Sequence, residues 1–454
     1  MSIEIIEKAQ IIRNAVPEEG LFDGKDWLVS PEPFPVPNAF ADELEKLGHR
    51  LHLFVRACNL LYFQSVKGKQ PRWIAELLDR GKPPELVAEA RRLREEIPAV
   101  IRPDLILTDD GFAISELDSV PGGIGLTGWL NQTYAQFGYD ILGGADGMIE
   151  GYRSITPGGA DIIVSDESAT YRPEMRWLAA RLNERFAPEH WRVLDGSGSP
   201  APWQPNVYRF LELFDLPNIP CSTALREAVG RGETRVTPPF KPFLEEKLWF
   251  ALFWLRPLRE FWRRELSERH FLALQKAIPY TWLADPTPLP PNAVLPGLEV
   301  HDWNEVAAFS QKERELILKI SGFSELAWGS RGVHVAADLP QPEWRAVLES
   351  ALACYQTRPY ILQRFRKGRL VTQPYVDAGG EARVMQGRVR LCPYYFLAEG
   401  KARLGGALAT ICPADKKLLH GMRDAVLVPT GITEEAKEPG KKREITLEQA
   451  AGLP

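Results

Sequence analysis

The chain has 454 residues, 44% of them hydrophobic and 25% charged, which is enough length and apolar content for two or three packed units. A net charge of −5 leaves no basic footprint for a nucleic-acid partner, no run approaches the roughly 18 apolar residues of a membrane span, and the N-terminus mixes acids and bases without an apolar signal core. Five widely spaced cysteines with no CxxC pair indicate neither a disulfide framework nor a zinc site, so buried thiols in a cytoplasmic protein are expected.

Residues 1–98 read as a mainly helical region. Leu86, Ala90, Leu93 and Ile97 recur at the spacing of an amphipathic helix that Pro83-Pro84 begins. A segment over 99–155 opens with RPDLILTDDGFAISELD, from Arg102 to Asp118, which reads as two short strands joined by Asp109-Asp110-Gly111. Gly at the third place suits a three-residue hairpin loop. Such a loop sets Thr108 opposite Phe112, hence Asp104 opposite Glu116 and Arg102 opposite Asp118, all on one face. Like charges so placed repel. Leu105, Leu107, Ala113 and Leu117 cover one face, and Ile106 and Ile114 help cover the other. Buried carboxylates are costly unless paired or bound to a metal. A Mg²⁺ ion is the simplest remedy, since it takes carboxylate oxygens and leaves room for water and phosphates. A solvated hairpin face with scattered charges is the alternative.

VPGGIGLTGWLNQTYAQFGYD follows as a glycine-rich turn and a helix. Its Gly123-x-Gly125-x-x-Gly128, with Asp146 or Glu150 roughly 20 residues on, superficially matches a dinucleotide fingerprint. The preceding strand is a hairpin arm, however, and Asp118 would lie close to the pyrophosphate.

A unit over 156–300 begins with ADIIVSD as a buried strand, YRPEMRWLAARLNERF as a helix and WRVLDGS as the next strand, a βαβ pattern with a parallel sheet. EKLWFALFWLRPLREFW reads as core, with Lys247 at its polar start. LADPTPLPPNAVLPG is an extended connection. In a segment over 301–432, ELILKIS is a strand carrying Lys319, followed by a loop with Gly322, Gly329, Ser330 and Gly332. Glycines let backbone N–H groups approach phosphate oxygens and the lysine adds charge, although the Walker order is absent and a plain surface loop is the alternative. PEWRAVLESALACYQ is a helix. PYILQRF is a strand that would offer main-chain groups to an adenine or serve simply as core. ARVMQGRVRLCPYYFLAEGKARLGGALATI reads as two or three antiparallel strands. The tail over 433–454 is charged and expected to be loosely held. No HExxH or G-x-S-x-G pattern occurs.

Four stretches in this order, R-P-D with E-L-D, LEEKLWFALFW, ILKISGFSELAWGSRGVHV and PYILQRF, resemble the circularly permuted branch of the ATP-grasp superfamily. The likeness is greatest to the synthetase domains of the glutathionylspermidine synthase family, over roughly residues 100 to 430. The order is discriminating, because ordinary ATP-grasp enzymes place the metal-binding strand after the lysine loop. The resemblance implies an α/β (α+β) ATP-grasp fold, circularly permuted, with a helical N-terminal region and a βαβ pre-ATP-grasp unit. It implies an ATP- and Mg²⁺-dependent ligase joining a small-molecule carboxylate to an amine through an acyl phosphate. Asp104, Glu116 and Asp118 would hold metal. Arg102 would stabilise the transferring group, with Arg388 and Arg390 as further candidates for carboxylate or phosphate contact. Lys247 and Lys319 would meet the nucleotide, Gly329, Ser330, Arg331 and Gly332 would close over it, and Gln363, Arg364 and Phe365 would flank adenine. Asp118 departs from the family's usual Asn, and the glycine loop is thin. A non-catalytic ATP-binding relative and, on Gly123 to Gly128, a dinucleotide-dependent oxidoreductase are the rival readings.

Overall fold

The computed structural model describes residues 2–434 other than 23, 25, 199–201, 328, 330 and 420–422, so Ser330 of the glycine loop and the tail from 435 lie outside the described residues. Among the described residues, three sheets carry the architecture. Runs such as GADIIV, apolar at nearly every position, suit a strand buried on both faces. Gly159–Val164 is such a strand, and it lies between His190–Leu194 and Asn206–Phe210, with Arg235–Thr237 beyond, all parallel. Helix Arg172–Phe186 makes the first crossover, as the βαβ pattern predicts.

A second, antiparallel sheet runs Val333–Val335, Leu316–Ile320, Tyr360–Arg364, Thr281–Leu283. It has a core of its own, in which Trp282, Leu318 and Leu362 meet Trp344 and Leu348 of helix Gln341–Ala353. The third sheet is the largest. Its order is Phe34–Pro37, Val426–Thr433, Lys401–Pro413, Ala382–Ala398, Pro103–Thr108, Gly111–Leu117, with Val100–Ile101 and Val371–Val376 also paired to Ala382–Ala398. The first pairing is parallel, Phe34 opposite Thr430, and the others are antiparallel. Side chains alternate along the long strand, so Tyr395 and Phe396 face opposite ways. A Cβ on Gly48 of helix Asn38–Val66 would come within 2.5 Å of the Tyr395 ring, and one on Gly151 of helix Gly147–Ile155 within 2.2 Å of the Phe396 ring. Helices therefore press on both faces of this sheet.

Residues 1–98 are mostly helical, in Ser2–Asn14, Asn38–Val66, Trp73–Asp79 and Pro84–Arg92. The last of these stops before Leu93 and does not reach Ile97. The buried Lys241 ammonium, which must find acceptors, donates to the carbonyls of Arg94 (3.2 Å) and Glu96, and so holds that backbone outside the helix. The five cysteines are free thiols, four of them buried. Among the described residues no helix is long and apolar enough to cross a membrane.

Candidate active site

The acidic hairpin forms, but with a different turn from the one expected. Thr108 pairs with Gly111 across a two-residue Asp109-Asp110 turn, which shifts the register by one. Ser115 then forms a bulge between the Leu105–Ile114 and Asp104–Glu116 pairs and shifts it back. Asp104 thus faces Glu116 as counted, and the Asp118 N–H donates to the Arg102 carbonyl at 3.0 Å.

Distant segments supply more positive charge than the hairpin alone shows. Arg102 pairs with Asp118 and, at 3.1 Å, with Asp104. Arg390, on the neighbouring strand, reaches the other Asp104 oxygen at 3.1 Å, and the Cys392 thiol donates to Asp104 at 3.4 Å. Lys247, just ahead of helix Leu248–Trp254, pairs with Glu116 at 2.8 Å. Lys319 donates to the carbonyl of the bulged Ser115 at 2.8 Å and to Gln363 Oε1 at 3.1 Å. Every carboxylate of the hairpin face therefore has a cation beside it. Pairing within the chain thus offsets part of the repulsion for which Mg²⁺ was the simplest expected remedy. Among the described residues, no three carboxylate, thiol or imidazole groups converge as a cage for a metal ion.

The protonation states follow from these neighbours. Burial works to raise Asp104, but Arg102 and Arg390 outweigh it and hold the carboxyl below its usual range. Burial pushes Asp118 up to about 6, with Asp104 and Glu116 adding to the shift against Arg102. Burial brings Lys319 down to about 8, with Lys247 adding to the shift against Glu116. Lys247 stays above its ordinary value because Glu116 overcomes the effect of burial.

Two cavities meet at this cluster. The smaller, of about 520 Å³, is lined by Lys319, Gln363, Arg364, Phe365 and Arg388. The larger, of about 850 Å³, is lined by Arg102, Asp118, Lys247, Gly329, Arg331 and Glu212. Asp104, Glu116, Val333 and Arg390 line both. Gln363 is fixed by its bonds to Lys319 and, at 3.0 Å, to Thr281 Oγ1. Arg364 spends its guanidinium on the Gly297 carbonyl and on the Trp282 ring, 5.5 Å away. Arg388 Nε donates to the Gly368 carbonyl at 3.0 Å. Arg331 lies at the exposed rim, 3.3 Å from Glu167. Gly332 is tied to the small sheet, its carbonyl accepting from the Ile320 N–H at 3.1 Å.

Glu212 was not singled out from sequence. It follows the parallel strand Asn206–Phe210 and accepts from the Ser119 hydroxyl at 3.1 Å. Burial, helped by Glu245 and Asp118, raises it to about 8. Its place just beyond the carboxyl end of a parallel strand is where ligands of such sheets bind, and that was the available signal.

The Gly123 to Gly128 segment does open a helix, Ile124–Ala135. The Glu174 carboxylate fills its N-terminus, accepting from the N–H groups of Gly123 and Leu126 at 2.8 Å each. A pyrophosphate would meet negative charge where it needs free donors, which removes the dinucleotide reading.

No family model matches the chain, and no curated protein matches its sequence. Among solved structures it is similar to a glutathione synthetase-like effector from Globodera pallida in its apo form. The TM-score is 0.55 at 12% identity, over 94% of this chain and 97% of that one. It also aligns with the Putative gamma-glutamylcysteine synthetase from Methylobacillus flagellatus KT, with a TM-score of 0.39 at 12% identity over 86% and 88% of the two chains. The first likeness shows a shared fold, a mixed α/β architecture. The second carries no argument at that score.

Proposed function

We propose that the protein is an ATP- and Mg²⁺-dependent ligase that joins a carboxylate to an amine through an acyl phosphate, on an ATP-grasp fold whose segments run in circularly permuted order. The observation that carries this reading is the meeting of two cavities at one cluster of acids and arginines. A nucleotide whose base lies against Gln363 to Phe365 would direct its terminal phosphate past Lys319 and Lys247 into the larger cavity. Both volumes are in the range of small-molecule sites, roughly 300–1,000 Å³. The fold shared with a glutathione synthetase-like protein fits this chemistry.

The donor set suits Mg²⁺. This ion keeps several waters and takes one or two carboxylates plus phosphate oxygens, so Glu116 and Asp104, at the shared mouth, would suffice with Asp118 behind them. When bound, Mg²⁺ neutralises the phosphate oxygens between the two cavities. The chain's own groups do the rest. Lys319 and Lys247 gather the phosphates, and Arg102 and Arg390 stabilise charge on the transferring group and the acid it joins.

The test is release of ADP or phosphate by the full chain with Mg·ATP and pools of carboxylic acids, amino acids and amines. Turnover that needs both an acid and an amine is expected, and Glu116→Gln should remove it. Undiminished turnover in Glu116→Gln would overturn the metal assignment. The pairing of every hairpin acid with a cation favours one other reading, a nucleotide-binding relative without catalysis. Binding of Mg·ATP with no turnover across all the pools would select it.

A further inference from the structure

Three consecutive charged residues, Glu245, Glu246 and Lys247, grip three different parts of the molecule. Glu245 pairs with Arg209 of the parallel sheet, and Lys247 with Glu116 of the hairpin. Glu246 pairs with Lys82, from the loop between helices Trp73–Asp79 and Pro84–Arg92. Both side chains of that last pair are almost wholly enclosed, at 1% and 2% exposure. A buried ion pair adds little stability over apolar packing of the same volume, so its value here lies in what it fixes.

Glu246 also accepts from the hydroxyl of Ser321, two residues beyond Lys319. The Ser321 hydroxyl accepts from the Leu248 N–H at 2.9 Å, and its carbonyl accepts from the Lys247 N–H at 3.1 Å. Its own N–H donates to the Pro359 carbonyl at 3.0 Å, in the segment leading into the strand of Gln363. Lys82 is held in turn. The neighbouring Arg80 lies over the Tyr355 ring at 4.2 Å and donates to the Tyr355 carbonyl at 3.3 Å. Lys247 and Lys319 thus hang from one knot, Lys82–Glu246–Ser321. Two ammonium groups repel, and Lys247 helps to depress Lys319. A ligand that had to gather them would lose affinity to that work, whereas a preorganised pair spares it.

We propose that Glu246, neutralised by Lys82, is a positioning residue that holds Lys247 and Lys319 in a fixed relation so that one polyphosphate can meet both. The helical N-terminal region thereby contributes to a nucleotide site whose walls it does not supply at Lys82. The inference rests on the nucleotide reading of the smaller cavity given above.

The experiment measures the dissociation constants of Mg·ATP and of adenosine for the full chain and for Ser321→Ala. Ser321→Ala should weaken Mg·ATP at least about tenfold and leave adenosine within about twofold, because only the polyphosphate reads the lysine spacing. A general loosening of the small sheet would weaken both alike. Equal losses for the two ligands, or no loss, would overturn the proposal. Should Ser321→Ala fail to fold, the doubly neutral Lys82→Met/Glu246→Gln chain reads the same ratio. It preserves side-chain bulk while removing the charge that pins Ser321, and a selective loss of about threefold or more is expected. A wild-type chain that binds neither ligand would instead dispose of the nucleotide reading.

Discussion

Asp118 and Glu212 share a cavity wall, and both hold their protons into a higher pH range than free carboxyls do, to about 6 and about 8. Their unfolded values are about 3.9 and 4.3. The folded state therefore binds these protons more tightly, and the stability they lend is complete below about pH 4. It is lost as pH rises through 6 for Asp118 and through 8 for Glu212. The melting temperature should fall on going from about pH 5 to about pH 9, and Glu212→Gln should flatten the upper part of that decline. Thermal melts across the range check this, and an unchanged slope in the variant would show that Glu212 does not carry it. Asp104 and Glu116 behave differently under substitution. Asp104 is enclosed between two guanidiniums, so Asp104→Asn should cost about 3–5 kcal/mol by stranding them. Glu116 is 34% exposed, but its partner Lys247 is only 9% exposed, so Glu116→Gln should cost about 1–3 kcal/mol by leaving that ammonium without its carboxylate. Glu116→Gln is therefore the milder probe of turnover, with a loss of about 100-fold or more expected in a chain that still folds.

The hairpin shows how an element can be read correctly for an incomplete reason. Asp109-Asp110-Gly111 looks like a three-residue loop, yet Gly111 lies in the strand with φ at 137°. The bulge that restores the pairing is held by the Ser115 hydroxyl on the Asp104 carbonyl at 3.0 Å and by Lys319 on the Ser115 carbonyl, a contact across 204 positions. No local pattern in the sequence shows the second of these. Deleting Ser115 should keep Asp104 opposite Glu116 while removing the carbonyl that holds Lys319. We expect a folded protein whose affinity for Mg·ATP falls at least about tenfold, read by calorimetry, and full affinity would show that the bulge is dispensable. Gly332 constrains the glycine loop. A Cβ there would come 2.6 Å from Ile320 Cγ2 and 2.8 Å from the Leu326 carbonyl. Gly332→Ala should therefore destabilise by about 1–3 kcal/mol through overpacking, measured by denaturant titration.

At the scale of the molecule, the order of elements was largely legible, because apolar periodicity and proline placement are local properties. The strand Phe34–Pro37 escaped notice because its prolines argue against a strand, and it sits where they are tolerated, at a sheet edge. The convergence of Arg390, Lys247 and Lys319 on the hairpin was not visible in residue spacing, since three separate pieces of chain must pack before it exists. The small sheet with its own core bounds one side of the smaller cavity. A ligand there that binds only the native state should raise the melting point, by about 2.7 kcal/mol of apparent stability at a hundred times its dissociation constant. Mg·ATP should do so and NAD(P) should not, because Glu174 occupies the helix end a dinucleotide would use. A thermal-shift panel checks both, and a response to NAD(P) alone would reverse the assignment.

The parallel pairing of Phe34 with Thr430 also governs how the protein is made. On a ribosome adding about 5–20 residues per second, the early segment waits roughly 20–80 s for its mate to be translated. Throughout that interval its hydrogen-bonding edge lacks its native partner strand. Early helices that fold over it during synthesis would shield it, so the same N-terminal segments would guard the nascent chain before they take their places in the finished fold.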